Sequence, residues 1–365
     1  MPTLDNLPKG WKLIGLQEVC DFIMGQAPPS ASYNDDGDGS LFLRVGDFGQ
    51  LYPSSKHYTT QPLKFSKEGD VLLCVVGATC GKVNLGIDAS ITRSIFALRP
   101  KQIIHQKYLY YHLKSLYNKL NALKSGSAQG VLNQNILSKI KVPVPPIKTQ
   151  EEIVDIFEKI EKIRQDRELS NREADKILQS IFSNMFGDPM RNDMKWEIKK
   201  WEEVLDIING KSQKKVIDPK GDYPIYGSGG IMGYANDYLC PGNSVIIGRK
   251  GTINRPIKVE GKFWNVDTAF GLVPKKEYVT CDYLFNFCKL FNFNKLNTST
   301  TLPSLTKSNL FQINIPIPPI KLQEEFSVLV KIVDEIRKNQ EKSTEEVSDL
   351  FNVIMQKAFN GELIK

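Results

Sequence analysis

The sequence predicts an α+β protein in which two similar α/β units, in a pseudo-twofold arrangement, are joined by two long antiparallel coiled-coil helices. Three observations support this class. A proline-rich segment at residues 142–152 returns 173 positions later at residues 315–325. A long stretch with helical heptad spacing follows each copy. The regions before the two copies mix β-branched runs with turns rich in glycine, asparagine and aspartate, so the chain is predicted to be built twice.

The first globular unit is predicted to span residues 1–148. Its β-branched run at residues 71–76 predicts a buried strand, and the polar stretch at residues 34–39 predicts a turn. A helical pattern follows at residues 108–124. This mixture of short strands and helices predicts an α+β unit.

The first long helix is predicted at residues 149–187. Pro145 and Pro146 cannot continue a helix backwards, and Thr149 with Glu152 has the spacing of a capping box. Polar Arg167 and Ser170 interrupt the apolar positions of the heptad. The predicted seam consists of Ile153, Ile156, Ile160, Ile163, Ala174, Ile177 and Ile181.

The second unit is predicted at residues 188–321 and its helix at residues 322–365. Leu322 stands where Thr149 stands in the first copy, so the start of this helix is expected either to fray or to be capped by backbone or solvent. Polar Gln340 and Ser343 repeat the interruption of the heptad at the same offset of 173. The second seam consists of Phe326, Leu329, Val333, Ile336, Val347, Leu350 and Ile354.

The order of these elements predicts how the helices run. If the termini of the second globular unit lie close together, the second helix starts beside the end of the first, and the two are antiparallel. A helix of about 38 residues spans roughly 57 Å at 1.5 Å per residue. Arg167 and Ser170 would then meet Gln340 and Ser343 at the middle, where polar residues can fix register. Two separate domains with independent helices remain the alternative.

Charge is distributed unevenly along the chain. The total is +7, and residues 149–186 and 322–360 each carry −3, so the remaining 288 residues carry +13. An excess of positive charge on the globular parts fits a phosphate-backbone partner, although a solvated lysine-rich surface is the alternative. The six cysteines lack metal-site spacing and are expected to be buried thiols. No apolar stretch is long enough for a membrane span, and we expect a cytoplasmic location.

Catalytic motifs are absent from the sequence. The glycine turn at residues 77–82 has one residue too few for a phosphate-binding loop, and Val83 stands where Ser or Thr would bind magnesium. The tetrapeptides with which amino-methyltransferases grip a flipped base do not occur. The acidic run at residues 35–38 lacks the glutamate of a calcium-binding loop. The chain is therefore predicted to bind a partner without catalysing a reaction and without a cofactor or metal.

The doubled order of motifs resembles the DNA-specificity subunits of type I restriction-modification systems. The resemblance rests on the two proline-rich lead-ins, each continued by a Gln-Glu pair: Gln150 and Glu151 in the first copy, Gln323 and Glu324 in the second. The segment at residues 43–47 and the glycine turns at residues 77–82 and 248–251 also look like that family. Each motif is weak alone, whereas their doubled order covers essentially the whole chain.

This resemblance implies a non-enzymatic subunit that selects DNA for a larger complex. Each globular unit would be a target-recognition domain that reads one half of a bipartite, asymmetric site in double-stranded DNA. The helices would set the gap and dock two modification (methyltransferase) subunits, with restriction (endonuclease/translocase) subunits joining outside. S-adenosylmethionine, ATP and magnesium would serve those partners. The competing hypothesis is a coiled-coil scaffold or adaptor whose units bind proteins.

Candidate DNA-binding residues are polar or basic side chains on the predicted loops, because Arg and Lys favour guanine and Asn and Gln favour adenine. In the first unit these are Arg44, Lys82, Arg93, Ser127, Gln129 and Asn133. In the second unit they are Ser228, Arg249, Lys250, Asn254, Thr300, Ser304 and Lys307. The alternative for each is a solvated or fold-stabilising polar group.

Overall fold

The computed structural model describes residues 7–123, 131–296 and 304–364. Its contacts group the chain into two compact units. The first unit contains residues 1–167 and 343–365, and the second contains residues 168–342. Each unit thus takes one part of each long helix, which differs from the serial division predicted from the sequence. The serial boundaries at residues 148, 187 and 321 stay a prediction.

The first half of the chain alternates short strands with short helices before one long helix. The elements are β1 (Lys12–Gly15), α1 (Leu16–Val19), β2 (Cys20–Met24), β3 (Tyr33–Asn34), β4 (Ser40–Leu43), β5 (Tyr58–Thr59), β6 (Phe65–Ser66), β7 (Val71–Cys74), β8 (Val83–Leu85), β9 (Ala89–Ile91), β10 (Ile95–Pro100), α2 (Gln106–Ser115), α3 (Tyr117–Ala122), α4 (Gln134–Ser138), β11 (Lys141–Val144) and α5 (Ile147–Phe186).

The second half repeats this order with fewer strands. The elements are β12 (Glu197–Lys200), α6 (Trp201–Val204), β13 (Leu205–Asn209), β14 (Tyr223–Gly227), β15 (Gly230–Ala235), β16 (Ser244–Gly248), β17 (Ile257–Val259), β18 (Trp264–Asn265), β19 (Ala269–Pro274), α7 (Cys281–Leu290), α8 (Lys307–Phe311), β20 (Asn314–Ile317) and α9 (Ile320–Phe359).

The same sheet framework occurs in both units. A four-stranded antiparallel sheet has the order β2-β10-β7-β8 in the first unit and β13-β19-β16-β17 in the second. A two-stranded sheet, β1-β11 or β12-β20, carries the proline-rich strand. The remaining sheet differs: it is β3-β5-β4-β9-β6 in the first unit and β15-β14-β18 in the second. The repeat is therefore a common scaffold with unit-specific additions.

Each scaffold is closed by an aromatic side chain from the helix that packs on the sheet. The Tyr108 hydroxyl donates to the Pro143 carbonyl at 2.7 Å, and the Tyr283 hydroxyl donates to the Pro316 carbonyl at 2.9 Å. Both rings are fully buried. Proline has no backbone N–H, so its carbonyl is its only backbone hydrogen-bonding group. The two tyrosine hydroxyls therefore satisfy the buried proline carbonyls of these strands.

The long helices begin two residues earlier than predicted. The backbone N–H groups of Thr149 and Gln150 donate to the Pro146 carbonyl at 2.9 and 3.1 Å, so Thr149 lies inside the first turn and the predicted Thr149 cap is wrong. The Leu322 N–H likewise donates to the Pro319 carbonyl at 3.0 Å, so Leu322 also lies inside a formed turn. Of the outcomes expected for this helix start, a backbone acceptor is found and fraying is not. The residue before each helix is a proline, whose free carbonyl accepts these bonds.

The buried stripe of each helix is also displaced from the predicted seam. Ile163 and Ile177 of α5, and Leu329, Ile336 and Leu350 of α9, are exposed, so the seam prediction was wrong at these positions. The buried positions nevertheless repeat at the same offset of 173. The equivalent buried pairs are Gln150 and Gln323, Ile153 and Phe326, Phe157 and Val330, Leu178 and Phe351, Phe182 and Met355, and Phe186 and Phe359.

Within the first unit, α5 and α9 run antiparallel. The Phe157 ring lies 5.9 Å from the Phe359 ring and 5.6 Å from the Phe351 ring, and the Arg164 guanidinium lies 6.0 Å above Phe351. Moving forward along α5 therefore means moving backward along α9. Tyr111 of α2 packs on both Phe157 and Phe351, at 4.7 and 6.3 Å, so each helix also contacts the globular part of the unit.

Within the second unit, the end of α5 packs on the start of α9. Phe182 and Phe186 lie 5.5 and 5.4 Å from the Phe326 ring, and they lie 5.5 and 4.9 Å from the Tyr283 ring of α7. Both units thus use the same arrangement, with one aromatic cluster shared by two helices and the globular domain. The predicted α+β class, with a repeated unit and two long helices, is confirmed.

The remaining expectations concern cysteines, metals and membranes. The six cysteines are free; five are buried, as predicted, whereas Cys281 is half-buried. Among the described residues, no group of three or more His, Cys, Asp or Glu side chains is arranged to hold a metal ion. Within the same ranges, no helix is both long and apolar enough to cross a membrane.

Candidate nucleic-acid interface

Backbone hydrogen bonds gather three loops at one edge of the first unit. The Val75 N–H donates to the Ser94 carbonyl at 3.0 Å, which joins the turn after β7 to the turn before β10. The Leu132 N–H donates to the Val75 carbonyl at 2.8 Å, which adds the segment before α4. We call residues 75–82, 92–94 and 131–133 the first loop edge.

The second unit uses the same two bonds at equivalent positions. The Arg249 N–H donates to the Thr268 carbonyl at 2.8 Å, and the Leu305 N–H donates to the Arg249 carbonyl at 2.9 Å. We call residues 248–254, 266–268 and 304–306 the second loop edge. The bonding scheme is shared by the two edges although their side chains differ, which is the combination expected of a scaffold that presents variable loops.

Three predicted basic residues belong to the first loop edge or lie next to it. Lys82 and Arg93 are exposed. Arg44 lies next to this edge, because the Thr92 N–H donates to the carbonyl of Leu43, the residue before Arg44, at 3.3 Å. Exposed cations on adjacent turns raise the local positive potential, so this edge is suited to an anionic backbone.

Arg44 is held by a pair of aromatic rings. Its guanidinium carbon lies 5.5 Å from the centre of the Tyr33 ring and 5.6 Å from that of Phe42. The two rings stack on each other at 4.9 Å. A cation above aromatic faces loses less conformational freedom when it binds a ligand, so Arg44 is pre-organised to donate hydrogen bonds.

Asn133 has a second role in the first unit. Its side-chain oxygen accepts a hydrogen bond from the Ile136 N–H at 3.0 Å and caps α4. That oxygen is committed to the fold, so a contact with a base would have to use the amide nitrogen. The predicted residues Ser127 and Gln129 lie outside the described residues.

Four predicted residues meet at the second loop edge. Arg249 and Lys250 are consecutive, and Lys250 pairs with Ser304 in an isolated β-bridge. Ser228 reaches this turn from the β14–β15 connection, because a Cβ atom built on Gly248 would lie 3.1 Å from the Ser228 Cβ. The same Cβ would lie 2.1 Å from the Thr252 carbonyl oxygen, so only glycine fits at this position.

Asn254 and Lys307 stand at the ends of the second loop edge. The Asn254 side-chain oxygen accepts from the Phe293 N–H at 2.8 Å and therefore supports the fold. The Lys307 ammonium lies 5.2 Å from the centre of the Phe311 ring, on the first turn of α8. The predicted residue Thr300 lies outside the described residues.

The sequence reasoning missed two glycines and the lysines that follow one of them. A Cβ atom on Gly25 would lie 2.2 Å from the Thr92 carbonyl oxygen, and one on Gly210 would lie 1.8 Å from the Val266 carbonyl oxygen. Both glycines therefore let the chain approach the loop edge closely. Exposed lysines follow the second glycine: Lys211, Lys214 and Lys215. In the sequence, these lysines could have been found as a basic run that follows Gly210, the counterpart of Gly25 in the first unit.

A second missed feature joins the globular part of the first unit to its helix. Gln150 is fully buried at the start of α5. Its side-chain oxygen accepts from the His105 N–H at 2.8 Å, and its nitrogen donates to the carbonyls of Ile103 and Pro145 at 3.0 and 2.9 Å. This one side chain links the loop before α2, the proline-rich strand and the long helix.

Gln323 repeats the same junction in the second unit. Its oxygen accepts from the Thr280 N–H at 2.9 Å, and its nitrogen donates to the carbonyls of Tyr278 and Pro318 at 2.9 and 2.8 Å. It too is fully buried. The glutamine of the repeated Gln-Glu pair is therefore a structural joint, which was recognisable in the sequence only as a repeated motif.

Ion pairs supplement the glutamine joint. In the second unit, the Lys258 ammonium lies 2.8 Å from the Asp282 carboxylate of α7 and 3.5 Å from the Asp334 carboxylate of α9. Burial lowers the pKa of Lys258, but the hydrogen bond to Asp282 and the charges of Asp282, Asp334 and Glu260 raise it by more. In the first unit, the Lys114 ammonium lies 2.7 Å from the Glu161 carboxylate of α5.

The predicted register residues fall at the boundary between the two units. Arg167 and Ser343 belong to the first unit, and Ser170 and Gln340 belong to the second. Arg167, Gln340 and Ser343 are half-buried, whereas Ser170 is exposed. Their pairing across the middle of the helices stays a prediction.

Comparisons with known proteins give one consistent family. The family described as "Type I restriction modification DNA specificity domain" matches residues 8–174 and again residues 194–360. The MjaX type I restriction enzyme specificity subunit of Methanocaldococcus jannaschii is 28% identical over an alignment that spans 52% of this chain and 45% of that protein. The MjaVIII type I restriction enzyme specificity subunit of the same organism is 22% identical over 98% of this chain and 94% of that protein.

Solved structures have the same fold. The S subunit of a type I restriction-modification system from M. genitalium aligns with a TM-score of 0.60 and 16% identity, covering 98% of each chain. A chain from a structural study of complex assembly and conformational transition in the type I R-M system aligns with a TM-score of 0.67 and 19% identity, covering 98% of this chain and 99% of that one. With two matches that together cover most of its length, this chain belongs to the family of the type I restriction modification DNA specificity domain.

Proposed function

We propose that this chain is the DNA-recognition subunit of a type I restriction-modification complex and has no catalytic activity of its own. Each target-recognition domain, at residues 1–148 and 188–321, reads one half of a bipartite DNA site in the cytoplasm. The spacer helices, at residues 149–187 and 322–365, set the gap and dock two methyltransferase subunits. Restriction subunits with endonuclease and translocase activity complete the complex.

The observation that carries the proposal is the repeated loop edge. Two backbone hydrogen bonds at equivalent positions gather three loops in each unit. Basic side chains stand on those loops: Lys82, Arg93 and Lys250 are exposed, and Arg249 is half-buried. Phosphate contacts from such residues give affinity, and polar contacts to base edges give specificity. The relatives of this chain, which are named specificity subunits, support the assignment of DNA recognition to the loop edges.

The two half-sites are expected to differ in sequence. The first edge presents Arg44, Lys82 and Arg93, whereas the second presents Ser228, Arg249 and Lys250. The sheets that support the loops differ as well, with five strands in one unit and three in the other. Two readers with different side chains on a common scaffold select an asymmetric target.

Exposed apolar positions on the helices support the docking of two identical partners. Ile163 is 45% exposed and its equivalent Ile336 is 47% exposed; Ile177 is 54% exposed and its equivalent Leu350 is 52% exposed. Each pair is related by the offset of 173 that relates the two helices. Exposed apolar side chains on a helix are typical of a protein-binding surface, and their repetition fits one partner per copy.

The proposal predicts that the basic turn of the second loop edge contacts DNA. We expect the double substitution Arg249→Ala and Lys250→Ala to weaken binding of duplex DNA by the complex reconstituted with its methyltransferase subunits. If both side chains contact phosphates, the slope of log affinity against log salt should fall by up to about two. Binding is measured by a shift assay across a salt titration.

The matched control for this experiment is Lys276→Ala. Lys276 is exposed in the same unit, but it follows the far end of β19, whereas the loop edge precedes its near end. The control should bind like the unchanged chain. An affinity and salt slope that are unchanged in the double variant would contradict the proposal and favour a protein-binding scaffold.

A further inference from the structure

A cluster of exposed apolar side chains lies on the unit-specific sheet of the second unit. Ile231 is 57% exposed, Met232 is 62% exposed and Tyr234 is 46% exposed, and all three belong to β15. Ile217, which bridges to Ala235 at the end of that strand, is 55% exposed. Large apolar side chains concentrated on one strand at this exposure are typical of a surface that another molecule covers.

The strand that carries these residues is part of a projecting hairpin. β15 is the edge strand of the sheet β15-β14-β18 and pairs with β14, apart from the single bridge between Ala235 and Ile217. The pairing with β14 shifts by one residue here: Gly233 pairs with Ile225 and Ile231 with Tyr226, so Met232 is the extra residue of a β-bulge. The bulge leaves the neighbours Ile231 and Met232 both exposed near the turn of this two-stranded ribbon.

The turn of this hairpin lies against the second loop edge. Ser228, in the β14–β15 turn, has its Cβ 3.1 Å from the position that a Cβ on Gly248 would take, and its Oγ 4.0 Å from the corresponding position on Gly251. The Met232 sulfur covers Gly227 at the base of the same turn, 2.6 Å from the position of a Cβ there. The apolar side chains of the hairpin therefore lie beside the Arg249–Lys250 turn.

Lysine side chains lie near the base of the hairpin, together with Asp222 and Asp237, which flank its two strands. Lys214 and Lys215 are exposed and precede Ile217 by two or three residues. The Lys262 ammonium lies 4.3 Å from the centre of the Tyr238 ring, and that ring packs at 5.1 Å on Tyr223 of β14. An apolar ribbon with a lysine rim matches a ligand whose outside is anionic and whose inner edges are apolar. Duplex DNA has this combination.

From this arrangement we propose that the β14–β15 hairpin enters the major groove of the half-site read by the second unit, where Ile231 and Met232 contact thymine methyl groups. The major groove accommodates a two-stranded β-ribbon, and the C5 methyl of thymine is the apolar group that it displays. The inference rests on the proposed function and adds an apolar readout to the polar one of the loop edge. The first unit has a different sheet at this place, so the effect is confined to one half-site.

The test uses the complete complex with the double substitution Ile231→Ser and Met232→Ser. The methylated motif is determined by methylome sequencing of strains that express either the unchanged or the substituted chain. We expect the preference for thymine to be lost at one or two positions of one half-site, with the other half-site unchanged. Leu290→Ser, at an exposed apolar residue of α7 in the same unit, serves as the control and should leave the motif intact.

Synthetic duplexes carrying the mapped motif provide a second measurement. Replacing each thymine of that half-site by deoxyuridine removes only the methyl group. Binding by the unchanged complex should weaken about fourfold for each contacted methyl, and binding by the double variant should not respond. The circular dichroism and thermal midpoint of the double variant should match those of the unchanged chain, because both side chains are exposed.

Three outcomes would overturn the inference. The first is an unchanged motif in the double variant, and the second is equal binding to thymine and deoxyuridine duplexes by the unchanged complex. Either result would show that the hairpin does not contact thymine methyl groups. The third is loss of methylation at every site together with loss of the methyltransferase subunit from the purified complex. This result would show that the hairpin contacts that subunit. A failure of the proposed function is distinct, because then the unchanged complex itself would show no bipartite motif.

Discussion

Replacing Gln150 with alanine should destabilise the first unit, because this buried side chain makes three hydrogen bonds to the backbone. The partners are the His105 N–H and the carbonyls of Ile103 and Pro145. Each buried bond is worth about 1 kcal/mol, and leaving its partner unpaired costs a similar amount or more, so the three together give a loss of about 3 kcal/mol. Water that enters the space would reduce this loss.

The change is measured by thermal or urea unfolding of the purified chain. For a unit of this size, about 3 kcal/mol corresponds to a fall of roughly 6–12 °C in the midpoint of the transition that reports the first unit. Gln165→Ala is the matched control, because Gln165 is exposed on the same helix. It should change the free energy of unfolding by less than about 0.5 kcal/mol.

A second substitution at the same position distinguishes hydrogen bonding from shape. Gln150→Glu keeps the volume and the acceptor for the His105 N–H, but it places an oxygen against the carbonyls of Ile103 and Pro145. A proton is then needed on that oxygen, so the pKa of the new carboxyl is raised, and the stability of the variant relative to the unchanged chain should rise as the pH falls from 7 toward 5. A Gln150→Ala loss no larger than that of the control would refute the proposed joint.

Three other predictions concern pH, docking and spacing. Burial lowers the pKa of His112 to about 4, so the unfolded chain binds a proton below about pH 6.5 that the folded chain rejects. The first unit should therefore lose about 2 kcal/mol of stability between pH 6.5 and pH 5, and a His112→Phe variant should lose less, as measured by urea unfolding at pH 7 and pH 5. The double substitution Ile163→Asp and Ile336→Asp should reduce co-purification of methyltransferase subunits while the unfolding midpoint stays within a few degrees, because both residues are exposed; full retention of the subunits would contradict the docking proposal. Deleting seven residues from each helix, 165–171 and 338–344, should shorten the preferred gap by up to about three base pairs, since seven residues span about 10 Å of helix and a base pair rises 3.4 Å; binding-site selection that returns the original gap would contradict the role of the helices as spacers.

The large-scale organisation of the fold was predictable because it repeats. An offset of 173 relates the proline-rich strands, the long helices and even their buried positions, such as Ile153 and Phe326. Because each pattern occurs in both copies, each predicted element is supported by two independent stretches of sequence. The helix starts were less predictable, because the carbonyls of Pro146 and Pro319 serve as caps where a side-chain cap was expected at Thr149.

The helix seam was misplaced for a physical reason. A heptad seam assumes that a helix packs only on another helix. Here Phe157 packs on Phe351 of α9 and also on Tyr111 of α2, so the buried stripe is shared with the globular domain and turns away from Ile163. Nothing in the heptad spacing marks the position of a third partner.

The candidate site was predictable in its residue types but not in its assembly. Arg249, Lys250 and Ser304 were found as basic or polar residues on loops, and they do meet at one edge. The bonds that gather the loops are between backbone groups of residues such as Leu305 and Arg249, which are distant in sequence and carry no residue signature. Gln150 was noticed as part of a motif, whereas its partners at Ile103 and His105 lie over 40 residues away.

The central claim is that the two units of this chain read the two halves of one DNA site. Methylome sequencing of a strain with the chain and of the same strain without it tests this claim most directly. We expect one methylated motif to disappear, and we expect that motif to consist of two different specified sequences separated by an unspecified gap. Identical methylomes, or loss of a single uninterrupted motif, would contradict the account.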